Sequence, residues 1–129
     1  MKESDLVVPV TRFMRRELGC SSIRKEVAVG LRRIDIVGLR GREIISMELK
    51  LRDWRGVLGQ AWRNRICSHW TYVALPSKVA EEHIAIDEFA RYGIGVCAVK
   101  GSQVSVTREP DPSPCLEPFI KPIMRKMRS

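Results

Sequence analysis

The chain has 129 residues, 44% of them hydrophobic and 29% charged, enough for one domain with a real core. Lys and Arg number 23 against 15 Asp and Glu, a net charge of +8, and such an excess points to an anionic partner, nucleic acid being the simplest. No apolar run approaches a membrane span and no signal-peptide core follows Met1, so a cytoplasmic protein is expected.

In chain order, Ser4 and Asp5 cap a first helix. Leu6, Val10, Phe13, Met14 and Glu17 recur along it at three- and four-residue spacing, and Gly19 ends it. Residues 23–29 alternate as a strand, with Glu26 on it. Residues 32–51, RRIDIVGLRGREIISMELKL, predict two strands joined at Gly41. A helix follows over 53–68, N-capped by Asp53, with Trp54, Val57, Leu58, Ala61 and Trp62 or Arg65 as its apolar stripe. Gly56 and Gly59 are poor helix formers there and imply close packing. A buried strand at 71–75, a helix from Ser77 to about 92, an apolar strand at 94–99 and an edge strand at 104–108 complete a mixed α/β sheet flanked by helices. From residue 109 the chain is proline-rich and then basic. An extended or partly disordered arm is expected, with Phe119, Ile120, Ile123 and Met124 free to dock on a partner subunit.

The stretch 32–51 carries three residues foreign to an ordinary hairpin. Alternation puts Glu48 and Lys50 side by side on one face, and Asp35 at the centre of the preceding strand, flanked by Ile34 and Ile36. If the strands pair, Asp35 comes close to Glu48. Charged groups at strand centres are costly unless paired or metal-bound, and neighbouring carboxylates raise each other's pKa. A hard divalent cation removes that conflict, taking one or two protein carboxylates, water and a phosphate oxygen. Between residues 24 and 65 eleven Lys and Arg face five acids, a local net of +6, so the basic excess surrounds these residues. Arg32, Arg33, Arg63 and Arg65 are the first candidates to meet phosphate. The other reading is a solvated hairpin edge with surface ion pairs of little weight. The cysteines, Cys20, Cys67, Cys97 and Cys115, lack any C-x-x-C spacing and share none with His69 or His83. Reduced thiols are expected, and no zinc site.

An Asp, a gap, then Glu-x-Lys across a hairpin resembles the PD-(D/E)XK nuclease superfamily, standing here as Ile34-Asp35 and Glu48-Leu49-Lys50. The family's first position is commonly Pro or another small or apolar residue; here it is Ile34. The resemblance covers roughly residues 5–100, in the order helix, three strands, helix, strand. It implies a restriction-endonuclease-like fold (an α-β-β-β-α-β core), a nuclease-like domain over 1–108 and an arm over 109–129. It further implies that Asp35 and Glu48 bind Mg²⁺ or Mn²⁺ and that Lys50 orients water or stabilises charge. Related nucleases carry a Gln in the following helix, which places Gln60 at the site, and a Tyr four residues later, where this chain has Asn64. An acid from the first helix often joins the metal, which makes Glu17 a candidate, though a surface ion pair suits it as well. Glu26 is either an auxiliary ligand or an exposed carboxylate paired with Arg24 or Arg33. The expected function is a metal-dependent nuclease acting on nucleic acid, DNA first, as a homodimer. The rivals are a catalytically silent binding module and a subunit of a larger complex.

Overall fold

The computed structural model describes the backbone of residues 1–129 and all side chains except those of residues 83–85; the imidazole of His83 thus lies outside the described residues. A 3-10 turn, Glu3–Leu6, leads into α1, Val7–Arg16. Then come β1 (Ser22–Val29), β2 (Arg32–Arg40), β3 (Glu43–Leu49), α2 (Trp54–Asn64), β4 (Trp70–Pro76), α3 (Ser77–Ala80), α4 (His83–Arg91), β5 (Gly95–Lys100), β6 (Gln103–Arg108) and α5 (Glu117–Arg128). The six strands form one mixed sheet in sequence order. β1, β2 and β3 are antiparallel, β4 runs parallel to β3 and to β5, and β6 returns antiparallel on the edge. The expected α-β-β-β-α-β order is therefore present.

Two layers of helix enclose the sheet. Leu6, Val10, Phe13 and Met14, at the spacing read from the sequence, bury one face of α1 against Ile36, Ile45, Met47 and Leu49. On the other side α2 lays Trp54, Val57 and Ala61 over Val73, Leu75 and Val96, together with Phe89 of α4. The third part of the core gathers Val27, Ile34, Val37, Leu39 and Ile44 under Ile123 and Met127 of α5.

Several expectations need correction. The segment 109–129 is extended only as far as Leu116, whose N–H bonds the Ile66 carbonyl; it then folds as α5 on its own sheet. Its prolines do not prevent this: Pro118 lies in the first turn, where its missing N–H costs nothing, and only Pro122 interrupts the helix proper. The helix expected from Ser77 breaks into α3 and α4 at Glu82, whose backbone is extended. α2 stops at Asn64 rather than 68, and β3 ends at Leu49, one residue before Lys50. All four cysteines are free, as expected. Among the described residues, no helix is long and apolar enough to cross a membrane.

Candidate functional site

The two-residue turn Gly41-Arg42 sets the β2–β3 register, pairing Arg40 with Glu43 and, four rungs on, Ile36 with Met47. The next rung would join Asp35 to Glu48, and there the ladder opens. Side chains take over its hydrogen bonds: the Asp35 N–H donates to Glu48 Oε2 at 3.1 Å, and the Leu49 N–H donates to Asp35 Oδ2 at 2.8 Å. Directly opposed residues share a face, so the two carboxylates converge, as expected from sequence.

β1 opens at the same level. Lys25 pairs with Ile36 and Val27 with Ile34, while the pair between them, Glu26 and Asp35, is skipped. Glu26 has φ +52°, a left-handed conformation that costs a residue with a Cβ about 1–3 kcal/mol. The core faces change here too: Ile36 packs under α1, and Ile34, two residues away, packs under α5. Strict alternation through Asp35 is thus broken. The irregularity turns the Asp35 carboxylate toward an open depression of about 490 Å³, shared with Glu3, Lys25 and Glu26.

Glu48 is 2% exposed. Burial first, and then the charge of Asp35, push its carboxyl up to about 8, which favours the protonated form. A connected polar cluster fixes it from behind. Asn64 Nδ2 donates to Glu48 Oε1 at 3.3 Å, and Asn64 Oδ1 accepts from Arg32 at 3.1 Å. The Ser68 hydroxyl donates to the Asn64 carbonyl, lies 2.9 Å from Ser46 Oγ and is linked to Thr71. These five residues, Ser46, Glu48, Asn64, Ser68 and Thr71, are the buried polar and charged side chains among the described residues.

The other sequence candidates divide. Lys50, just past β3, is half-exposed, with its ammonium 4.0 Å from the Glu3 carboxylate. Glu3 is therefore the N-terminal acid at the site. Glu17 is not: it caps the far end of α1, about 15 Å along a ten-residue helix, and borders a separate depression with Arg12 and Arg16. Gln60 is exposed on α2, one turn before Asn64, and no hydrogen bond joins it to either carboxylate among the described residues. Arg33 and Arg63 are exposed. Arg32 is committed to Asn64, and Arg65 donates to the Pro112 carbonyl at 3.0 Å, clamping the C-terminal segment.

Asn64 had a readable signal. It continues the 57, 61 spacing of the buried stripe, where a polar residue is the informative exception. Glu3 had none, since it precedes the periodic part of its helix. The donor set suits a hard cation: two carboxylates face each other, and burial and then the neighbouring acid disfavour the charge on one of them. Among the described residues no three His, Cys, Asp or Glu side chains gather around a common point. An ion here would take Asp35 and Glu48 and complete its shell with water and substrate, as Mg²⁺ habitually does.

No family model matches the chain, and no curated protein matches it. Among solved structures it is similar to SPO1766, a protein of unknown function from Silicibacter pomeroyi. That likeness has a TM-score of 0.73 at 17% identity, over 99% of this chain and 84% of the other; it shows a shared fold. A second, slighter likeness is to SfsA of Pyrococcus furiosus, solved in complex with Ca²⁺, with a TM-score of 0.46 at 13% identity, over 80% of this chain and 59% of that one.

Proposed function

We propose that the chain is a metal-dependent nuclease of the PD-(D/E)XK type, with a restriction-endonuclease-like fold, acting on nucleic acid and first of all DNA. One observation carries the reading: Asp35 and Glu48 meet where the β2–β3 ladder opens, each accepting an N–H from the other's segment. Here two acids are driven together at the expense of Glu48's ionisation.

Asp35 and Glu48 would hold Mg²⁺ or Mn²⁺, which supplies charge neutralisation at a phosphate and a more acidic water. Glu48 would serve as a ligand in its ionised form, with its proton released to water. Asn64 keeps the Glu48 carboxylate aimed, and Arg32 keeps Asn64 aimed. Lys50 presents an ammonium beside the site, where it would orient the attacking water or stabilise charge on phosphate. The Glu3 carboxylate stands 4.0 Å from that ammonium. Gln60, exposed one turn from Asn64, would meet substrate rather than the ion, and Glu26 stands at the rim with Glu3. Arg33 and Arg63 are open to phosphates. Two copies of the chain, one site each, would cut both strands of a duplex.

The test is direct. Protein is incubated with Mg²⁺ or Mn²⁺ and single-stranded, duplex, flap and four-way-junction DNAs, beside the Asp35→Ala variant. Metal-dependent cleavage lost in the variant supports the reading. Salt-sensitive binding with no cleavage of any substrate favours the silent binding module instead.

A further inference from the structure

α2 presents a second surface that the carboxylate site does not use. Its buried stripe is Trp54, Val57, Ala61 and Asn64; the neighbouring stripe, Arg55, Leu58, Gly59 and Trp62, faces outward. Trp62 is 55% exposed and Tyr92, at the end of α4, 37%. Their rings stand 6.4 Å apart and inclined at 70°, edge to face, so the pair offers a broad ring surface to solvent. Trp62 lies at the junction of two depressions. One, of about 660 Å³, runs past Leu58 and Tyr92 to Arg55. The other, of about 520 Å³, runs past Arg63 and Leu116 to Arg32.

Three features separate this surface from ordinary exposed apolar area. Its net charge is positive: arginines border both depressions, and the single acid lining them, Glu88, already faces Arg91 at 3.7 Å. It is tied to the carboxylate site by a buried relay, because Arg32 lines it while holding Asn64, which holds Glu48. And Gly59, in its floor, has no packing reason to be glycine: an added Cβ would meet nothing within 4 Å. A helix-weakening residue that packing does not require leaves room beside the indole.

Exposed aromatic rings flanked by guanidinium groups are the platform on which unpaired bases stack while phosphates are neutralised. We infer that this groove binds single-stranded nucleic acid, an unpaired base stacking on Trp62 beside Tyr92 with its flanking phosphates on Arg55 and Arg63. It thereby favours nucleic acid that carries a single-stranded segment. The inference rests on the nuclease reading only for the kind of ligand.

The experiment measures binding and cleavage separately. Binding of labelled oligothymidine and of a blunt duplex is followed by anisotropy in EDTA, so that no strand is cut, for the wild type, Trp62→Ala and Trp62→Phe. Loss of one stacked base should weaken the oligothymidine complex roughly tenfold in Trp62→Ala. Trp62→Phe should retain most of the affinity, and duplex binding should stay where it was. Equal losses on both probes, or none, overturn the stacking role. So does a wild-type dimer in sedimentation that Trp62→Ala converts to monomer, because the groove would then be a protein interface. Cleavage by Asp35→Ala is assayed alongside. If that variant loses cleavage while Trp62→Ala binds normally, only the groove fails. If it cleaves like the wild type while Trp62→Ala loses single-strand binding, the groove stands and the nuclease reading falls.

Discussion

Glu48 is buried between the Asn64 amide behind and the Asp35 acid in front, so its neutral form is favoured beyond what it would be in water. Its carboxyl, ordinarily near 4.5, is raised to about 8. Between those values the folded chain holds a proton that the unfolded chain has released, so Glu48's contribution to stability declines as pH rises across the interval. Denaturant midpoints between about pH 5 and pH 9 should show that decline in the wild type and a flatter profile in Glu48→Gln. Mg²⁺ should offset the loss at the alkaline end in the wild type alone. Identical pH profiles for the two proteins would mean that Glu48 is ionised throughout. Asn64 is the second residue on which the site depends. Asn64→Ala strips partners from both Glu48 and Arg32 and should cost about 1–3 kcal/mol in chemical denaturation. Gln60→Ala, at an exposed position, should stay within about 0.5 kcal/mol.

At the scale of elements, the hairpin was the most legible part of the chain. The turn chemistry at Gly41 sets the register, and register alone opposes Asp35 to Glu48. The apolar spacing of α1, the N-cap Asp53, which accepts from the Gly56 N–H, and the apolar run of β5 were equally plain. What stayed hidden depends on contacts distant in sequence. Glu26's left-handed backbone has no local signature, because the irregularity exists only where β1 meets Asp35. α5 was obscured by its prolines, and its burial follows from the apolar face that β1, β2 and β3 would otherwise leave bare. Ile123 is 1% exposed in that contact, so Ile123→Ala should cost about 2–5 kcal/mol by thermal or chemical unfolding. A cost below about 0.5 kcal/mol, the level of a surface change, would mean that α5 is undocked in solution. The two glycines of α2, expected to serve close packing, divide. A Cβ on Gly56 would run into the Asp53 carboxylate that caps the helix, whereas one on Gly59 would meet open space. Gly59→Ala should therefore stabilise the chain by about 0.5–1 kcal/mol.

On the scale of the whole molecule, the sheet divides the labour. β4, β5 and β6 with the helices over them form an apolar block. β1, β2 and β3 carry the irregular centre, braced by α1 on one side and by α2 and α5 on the other. The acids sit where the antiparallel and parallel halves of the sheet meet, because β3 belongs to both. The central claim is that Asp35 and Glu48 hold a catalytic cation and that Lys50 acts beside it without holding it. Calorimetric titration of Mn²⁺ into the wild type, Asp35→Ala and Lys50→Ala, paired with a cleavage assay on the same samples, tests this most directly. Asp35→Ala should lose the ion and cleavage together. Lys50→Ala should bind the ion at least as well as the wild type while cleavage falls by ~10²–10³. If Asp35→Ala binds Mn²⁺ and cleaves at the wild-type rate, then Asp35, Glu48 and Lys50 are not the active site.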